Sequence, residues 1–328
     1  MTAVITGKLL PLVLICSLLS ACDNTSAPTY WQKYTTLGAY SGAISRDGTL
    51  AIVGAQEEGG SLWNTQRKAR LYDWNHAAGD RSLIAAASFS PDGLFAATAT
   101  QQNIVLWHTD TGQSEWFWKA PGEILDMVLG SHGQLALLGL SSQEAVYFDI
   151  VNGGIKLTLP HQARVRAVDI SDDGKLALTG ADDYSTTLWD LNTAKPLHKL
   201  MLNNVIDVVA LSANGNLAFS ASTLDKAVIW DTTSGKILKT LSSSEGFFPK
   251  RVSYVAARFS SDSNQLLTGT SSGLIQLWNT RTGEPIKSWR AHKKEAYGPN
   301  STAIQDVAFG NGGAYFAIGS NGVLNTLR

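Results

Sequence analysis

Seven segments of this 328-residue chain share one pattern, and a repeat of this length confines the fold more tightly than any other feature of the sequence. They begin at Ile44 (ISRDGTLAIVG), Phe89 (FSPDGLFAATA), Leu129 (LGSHGQLALLG), Ile170 (ISDDGKLALTG), Leu211 (LSANGNLAFSA), Phe259 (FSSDSNQLLTG) and Phe309 (FGNGGAYFAIG), at spacings of 45, 40, 41, 41, 48 and 50 residues. Each is an apolar residue, a turn built on Asp-Gly, Asn-Gly or a relative, and a short apolar run ending in small residues. Glycine and asparagine tolerate positive φ, so the turns have the chemistry of tight β-hairpins. Fourteen or fifteen residues after the turn glycine, or after Ser263 in its place, stands an aromatic: Trp63, Trp107, Phe148, Trp189, Trp230 and Trp278. Asn64, Asp149, Asp190, Asp231 and Asn279 follow it, and only His108 departs. The pattern predicts an all-β repeat protein.

The stretches TGADDYSTTLWDL from Thr179 and SASTLDKAVIWDT from Ser220 carry the Trp-Asp dipeptide for which WD-repeat proteins are named, and the chain resembles that family over nearly all of its length after the leader. The resemblance implies a β-propeller with four antiparallel strands per blade around a central channel. The family's Gly-His dipeptide survives only as Pro160-His161 and Ala291-His292. Fifteen residues beyond Gly313 is Arg328, the last residue, so the seventh repeat stops after its third strand. TYWQKYTTL, Thr29 to Leu37, precedes the first repeat without a blade of its own. Folded proteins avoid a long unpaired strand edge. The expectation is a seven-bladed β-propeller over residues 29–328, closed by the N-terminal strand.

Ahead of it, Leu9 to Ser20 is an apolar run too short to span a bilayer, after a start whose only charge is Lys8. This reads as a secretory signal over residues 1–21. Leu19-Ser20-Ala21-Cys22 resembles the lipobox of bacterial lipoproteins, which implies cleavage before Cys22, lipid (palmitate among it) on that thiol and a tether over 22–28. Asp23 and Asn24 resemble the signal that retains lipoproteins of enteric-type bacteria in the inner membrane, with the outer membrane as the alternative. With Cys16 removed and Cys22 acylated, no free thiol remains for catalysis or a metal. Cleavage removes Lys8 alone, leaving 25 basic against 27 acidic residues, a net charge of −2. Such a surface, exported, argues against nucleic acid as a partner. Strand direction starts the closing strand on the face of the Asp-Gly turns, seven residue steps from Cys22, a reach of at most about 25 Å. That face is expected nearer the lipid, with the opposite face turned outward.

Three blade-to-blade links are longer than the rest: NHAAGDRS (Asn75 to Ser82), SSEGFFPKRVSY (Ser243 to Tyr254) and AHKKEAYGPNST (Ala291 to Thr302). All fall on the outward face. The last two gather Phe247, Phe248, Lys250, Arg251, Lys293, Lys294 and Tyr297 into one sector, and aromatics mixed with basic residues are typical of protein interfaces. The alternative is that the phenylalanines fold back onto the blades and the lysines are solvated charge.

Catalytic chemistry is not written in the motifs. His161, Thr179, Asp183 and Trp189 match the WD family's structural hydrogen-bond network in spacing, and no oxyanion hole or defined nucleophile accompanies them. The six histidines stand singly and never at metal-ligand spacing. No metal or cofactor is implied. DTGQSEW, Asp110 to Trp116, resembles the tryptophan-docking motif of quinoprotein-type propellers, which include dehydrogenases and a non-enzymatic envelope-assembly lipoprotein. The expectation is a lipid-anchored, periplasm-facing, non-enzymatic scaffold for an envelope protein. The alternatives are a quinoprotein-like assembly factor, or an enzyme or small-ligand binder using the channel. Carboxylates, His or Arg converging on the channel from several blades would favour that last reading, and no repeated column of such residues is visible.

Overall fold

The computed structural model describes residues 25–242, 252–293 and 302–328. Cys22, Asp23 and Asn24 lie outside them, as do Phe247, Phe248, Lys250, Arg251, Lys294 and Tyr297, whereas Lys293 is described and exposed.

In five of the seven blades the first hairpin grows from the same local chemistry. In blade 1 the strand Ala39–Ile44 turns at Ser45-Arg46-Asp47-Gly48 into the strand Leu50–Ala55. Ser45 Oγ–H donates to Asp47 Oδ1 at 2.6 Å and accepts the Leu50 N–H at 2.9 Å. Gly48 has φ of 72°, and a Cβ there would meet the Phe316 ring at 2.6 Å; only glycine meets both demands. Ser90 with Asp92, Ser171 with Asp173, Ser212 with Asn214 and Ser260 with Asp262 repeat the arrangement. Blades 3 and 7 substitute single 3₁₀ turns at Ser131–Gly133 and Asn311–Gly313.

These hairpins build seven four-stranded antiparallel sheets in a ring, and no α-helix occurs among the described residues. Blade 1 is completed by Gly59–Asn64 and Ala69–Asp73. Blades 2 to 6 occupy 86–119, 124–160, 165–201, 206–241 and 254–290. Blade 7 consists of Ile304–Phe309, Tyr315–Gly319 and Val323–Leu327, with Tyr30–Lys33 as its outer strand. The Ser-Asp turns lie on one face of the ring, the turn face. The links between blades and the turns between second and third strands lie on the other, the junction face.

The core lies between blades. Leu106 of blade 2 packs with Leu138, Val146 and Phe148 of blade 3, and Leu178 and Leu188 of blade 4 pack with Val209 and Trp230 of blade 5. Trp230 and Trp278 are wholly buried, and each buried side chain of that size contributes on the order of 2–3 kcal/mol. The indole N–H must then be satisfied: Trp107 donates to Thr98 Oγ1, Trp189 to Thr179 Oγ1 and Trp278 to Thr268 Oγ1, each at 2.9 Å, and Trp230 to Ser220 Oγ at 3.2 Å. Blade 3 has Phe148, which has no N–H, and Leu138 stands in the acceptor's place on the second strand.

The ring closes as the sequence predicts. Tyr30, Trp31, Gln32 and Lys33 pair with Thr326, Asn325, Leu324 and Val323. The residues before them depart from expectation. Ser26 N–H donates to Ser288 O at 2.9 Å and Arg290 N–H donates to Ser26 O at 3.0 Å. The chain ahead of the closing strand is thus held on the rim, against the outer edge of blade 6, rather than running off the turn face, because that edge offers backbone groups to pair with.

Tyr34 N–H bonds Gly322 O at 2.8 Å, and since antiparallel pairs alternate, the Gln32 amide also faces the partner strand while the Trp31 amide faces away. Gln32→Pro is therefore expected to cost about 1–3 kcal/mol through a lost ladder bond, whereas Trp31→Pro keeps the ladder. Urea denaturation of the two variants checks this; equal losses would place the ring's closure elsewhere.

Candidate functional site

The central channel encloses a cavity of about 590 Å³ lined by the inner strands of all seven blades. Its wall is more polar than the motifs led one to expect, for Asp126, Asp169, Asp306, Arg258 and Arg46 all face it. Isolated charges inside apolar inner strands, as in ILDMVL, VRAVDI, IQDVAF and YVAARF, were the available signal. They form no column in the repeat because Asp126 and Asp306 stand three residues before the repeat's first apolar residue, and Asp169 and Arg258 one before.

Their partners explain them. Asp126 Oδ2 accepts the Val168 N–H of the next blade at 2.9 Å, and Asp169 Oδ2 accepts the Leu211 N–H at 2.6 Å. Asp306 Oδ2 accepts the Ile44 N–H of blade 1 at 2.7 Å. Ser88 Oγ accepts the Leu129 N–H at 3.1 Å, Ser41 Oγ–H donates to Ile84 O at 2.7 Å, and Ser253 Oγ–H donates to Asp207 Oδ2 at 3.3 Å. Arg258 of blade 6 donates to Asp306 Oδ2 at 2.9 Å and to Ile44 O at 3.0 Å, tying blades 6, 7 and 1 together. Every blade-to-blade seam thus has a polar stitch at the channel. On the turn face Arg46 of blade 1 reaches across the ring to make a two-pronged ion pair with Asp172 of blade 4. Among the described residues no group of three or more His, Cys, Asp or Glu is placed to hold a metal ion.

On the junction face, the link at Asn75 to Ser82 is closed on itself. Asn75 Oδ1 accepts Gly60 N–H and Ser82 N–H, both at 3.2 Å, His76 N–H donates to Ser82 Oγ at 2.8 Å, and Arg81 Nη1 donates to Glu57 O at 2.8 Å. Around it Leu37, Tyr40 and Leu83 are each about half exposed, and so are Tyr184, Met201 and Leu224 across the ring. The parts of the other two long links that carry the predicted aromatic and basic residues fall outside the described residues, apart from exposed Lys293. Burial is what singles out the leucines and Met201; their sequence neighbourhoods carry no signal.

The four network residues are neighbours, differently wired. Trp189 bonds Thr179, and the His161 ring stands edge-on to Trp189 with centroids 5.5 Å apart. Asp183 accepts from the Ser185 N–H and Oγ–H and from Lys199 Nζ, while His161 Nε2 has no partner among the described residues. A continuous His–Thr–Trp chain occurs instead in blade 2, where Thr98 Oγ1 lies 3.0 Å from His76 Nε2 and accepts the Trp107 N–H. In the DTGQSEW stretch, Trp116 is 37% exposed on the outer strand of blade 2. Gly112 is covered instead by Tyr72 of blade 1, whose ring a Cβ would meet at 2.3 Å.

Two segments, residues 154–190 and 235–279, match the family described as "WD domain, G-beta repeat". Each comprises the outer strand of one blade and the first three strands of the next. The molecule is a seven-bladed β-propeller, and these two segments of it match WD repeats. The chain is similar to the Angio-associated migratory cell protein of Homo sapiens, at 25% identity over 153 residues, 46% of this chain and 34% of that protein. The Small ribosomal subunit protein RACK1 of Neurospora crassa is 27% identical over 120 residues, 36% of this chain and 38% of that one. The MST50-interacting protein 11 of Pyricularia oryzae is 26% identical over 120 residues, with the same shares. The aligned region spans about a third of the length of each of these relatives.

Burial pushes the Asp126 and Asp169 carboxyls up from 3.8 to about 6, against the amide bonds each accepts, and raises Asp306 as well. A raised carboxyl contributes most to stability below its ordinary value, and that contribution is lost as pH rises through about 6. Burial drives His76 and His161 the other way, from 6.5 to about 4; their contribution stands above 6.5 and is lost as pH falls through 4. The stability advantage of the native chain over Asp169→Asn is accordingly expected to shrink by about 2 kcal/mol between about pH 4.5 and pH 7.5. Denaturant titration of both chains across that range measures it, and a constant difference would show that Asp169 is fully ionised throughout.

Proposed function

We propose that the protein is a lipid-anchored, non-catalytic interaction module of a bacterial envelope. On this reading residues 1–21 direct export, Cys22 carries the lipid, Asp23 and Asn24 favour the inner membrane, and the propeller faces the periplasm with its junction face open to another protein. The observation that carries the reading is a contrast. Asp126, Asp169, Asp306 and Arg258 of the channel are occupied in joining blades, whereas the junction face leaves Leu37, Tyr40, Leu83, Tyr184, Met201 and Leu224 half exposed. Exposed apolar residues bordered by polar ones mark protein contact surfaces. The names of two relatives, a ribosomal-subunit protein and an interacting protein, point the same way.

A second reading keeps the channel as a small-ligand site. The cavity of about 590 Å³ and the three arginines that line it, Arg46, Arg166 and Arg258, favour it, since cavities of that size accept small molecules. Native mass spectrometry of the purified protein, showing an extra mass lost on Arg258→Ala, would move the assignment to this reading.

Photocrosslinkers placed at Phe248 and at Leu83 in living cells are expected to capture one discrete envelope protein. Phe248→Ala or Lys250→Glu should weaken that capture about ten-fold or more if the first site lies at a contact hot spot. Cys22→Ala should abolish the acylated N-terminal peptide seen by mass spectrometry and release the protein from the membrane fraction. An undiminished membrane fraction in that variant would sink the anchor, and absence of capture from both positions would sink the junction face as the docking surface.

A further inference from the structure

The outer strands of the blades differ in charge from the rest of the molecule. The chain as a whole is balanced, with 26 Lys and Arg against 27 Asp and Glu. The seven outer strands carry nine Lys or Arg and only two Asp or Glu. Both acids, Asp73 and Glu115, belong to blades 1 and 2. The outer strands of blades 5, 6 and 7, which are neighbours in the ring, contain Lys239, Lys287, Arg290 and Lys33 and no acid at all. Between these charges the same three strands expose Ile237, Leu238, Ile286, Tyr30 and Trp31, each at 42% or more. Asp231 and Glu284 sit beyond the ends of these strands, at the turn face.

Two further observations belong to this arc. Lys68 of blade 1 lies 3.6 Å above the Tyr30 ring, which extends the cationic edge past the closing strand. The described chain also begins here, with Ser26 bonded to the outer strand of blade 6. Thr25 is three residue steps from Cys22, a reach of about 11 Å at most.

We propose that the rim of blades 5 to 7 lies against an anionic lipid bilayer, so that the propeller stands edge-on to the membrane with both faces accessible from the side. The proposal deepens the lipid-anchor reading and rests on it for the placement of Cys22. Lysine and arginine at such a surface meet lipid phosphates, tyrosine and tryptophan settle at headgroup depth, and short aliphatic side chains enter the acyl boundary. The lipid supplies attachment; the rim supplies orientation. The turn face instead carries Asp47, Asp92, Asp173 and Asp262 in its hairpins.

The test uses the chain from residue 22 onward with Cys22→Ser, which keeps every strand of the closed ring, beside the native acylated protein. Each is sedimented with vesicles of neutral phosphatidylcholine and with vesicles in which about a third of the lipid is phosphatidylglycerol. The unacylated chain is expected to bind the anionic vesicles alone and to be released by high salt. Lys239→Glu with Lys287→Glu should weaken that binding at least about 25-fold, near five-fold for each charge lost from the surface. The same change of charge on the rim of blades 2 and 4, Lys119→Glu with Lys195→Glu, should leave it within about two-fold. Equal losses in the two pairs, or no binding by the unacylated chain, would overturn the rim while leaving an acylated native protein anchored. A native protein without acyl mass that binds anionic vesicles as its Cys22→Ser form does would instead overturn the anchor and leave the rim standing.

Discussion

Closure of the ring is the constraint on which the rest of the structure depends. Each sheet buries its faces only against its two neighbours, so a ring with one open seam would lose a core interface and expose a strand edge at the same place. The chain meets this demand at two radii. At the rim, Tyr30–Lys33 completes blade 7 beside Val323–Leu327. At the channel, Arg258 and Asp306 reach the backbone of Ile44 and bind the last blades to the first. The seam joins residues about 290 apart in sequence, so it forms only when the rest of the ring is in place.

The polar groups of the channel follow from that geometry. Inner strands of neighbouring blades are too splayed to pair as a sheet, and their inward amides would be left without partners beside a narrow cavity. Asp126, Asp169 and Asp306 supply acceptors to the next blade, at the cost of holding carboxylates where water is scarce. The shift of their ionisation to higher pH is the mark of that compromise. What looks chemically like an acidic site is largely an assembly device.

The two outward surfaces differ in character. The junction face offers irregular loops and scattered half-exposed apolar side chains, suited to a shaped partner. The rim of blades 5 to 7 offers extended strands with uniform charge and interleaved aromatics, suited to a surface that has charge but no fixed shape. Docking one against a bilayer leaves the other open to a protein, so the two assignments are mechanically compatible.

The sequence by itself determined the number of blades, the hairpin turns, the aromatic slot in the third strand and the identity of the closing strand. These are local or periodic features, in which glycine conformation, strand alternation and repeat length act on neighbours along the chain. Within them even the Phe148–Leu138 exchange is readable, because an aromatic without an N–H needs no acceptor opposite. Only the tertiary structure decided what the isolated charges do. Asp126 and Asp169 reach backbone about 42 residues away, Arg46 reaches Asp172 across the ring, and the conspicuous His161 ends beside Trp189 while His76 makes the hydrogen-bonded chain. Nor did the sequence show that Lys239, Lys287, Arg290 and Lys33 would share one arc of the rim, since they are scattered along the chain until the ring brings the outer strands of blades 5, 6 and 7 side by side. Periodicity specifies what each residue does within its blade; the curvature of the closed ring decides which blades, and which charges, come together.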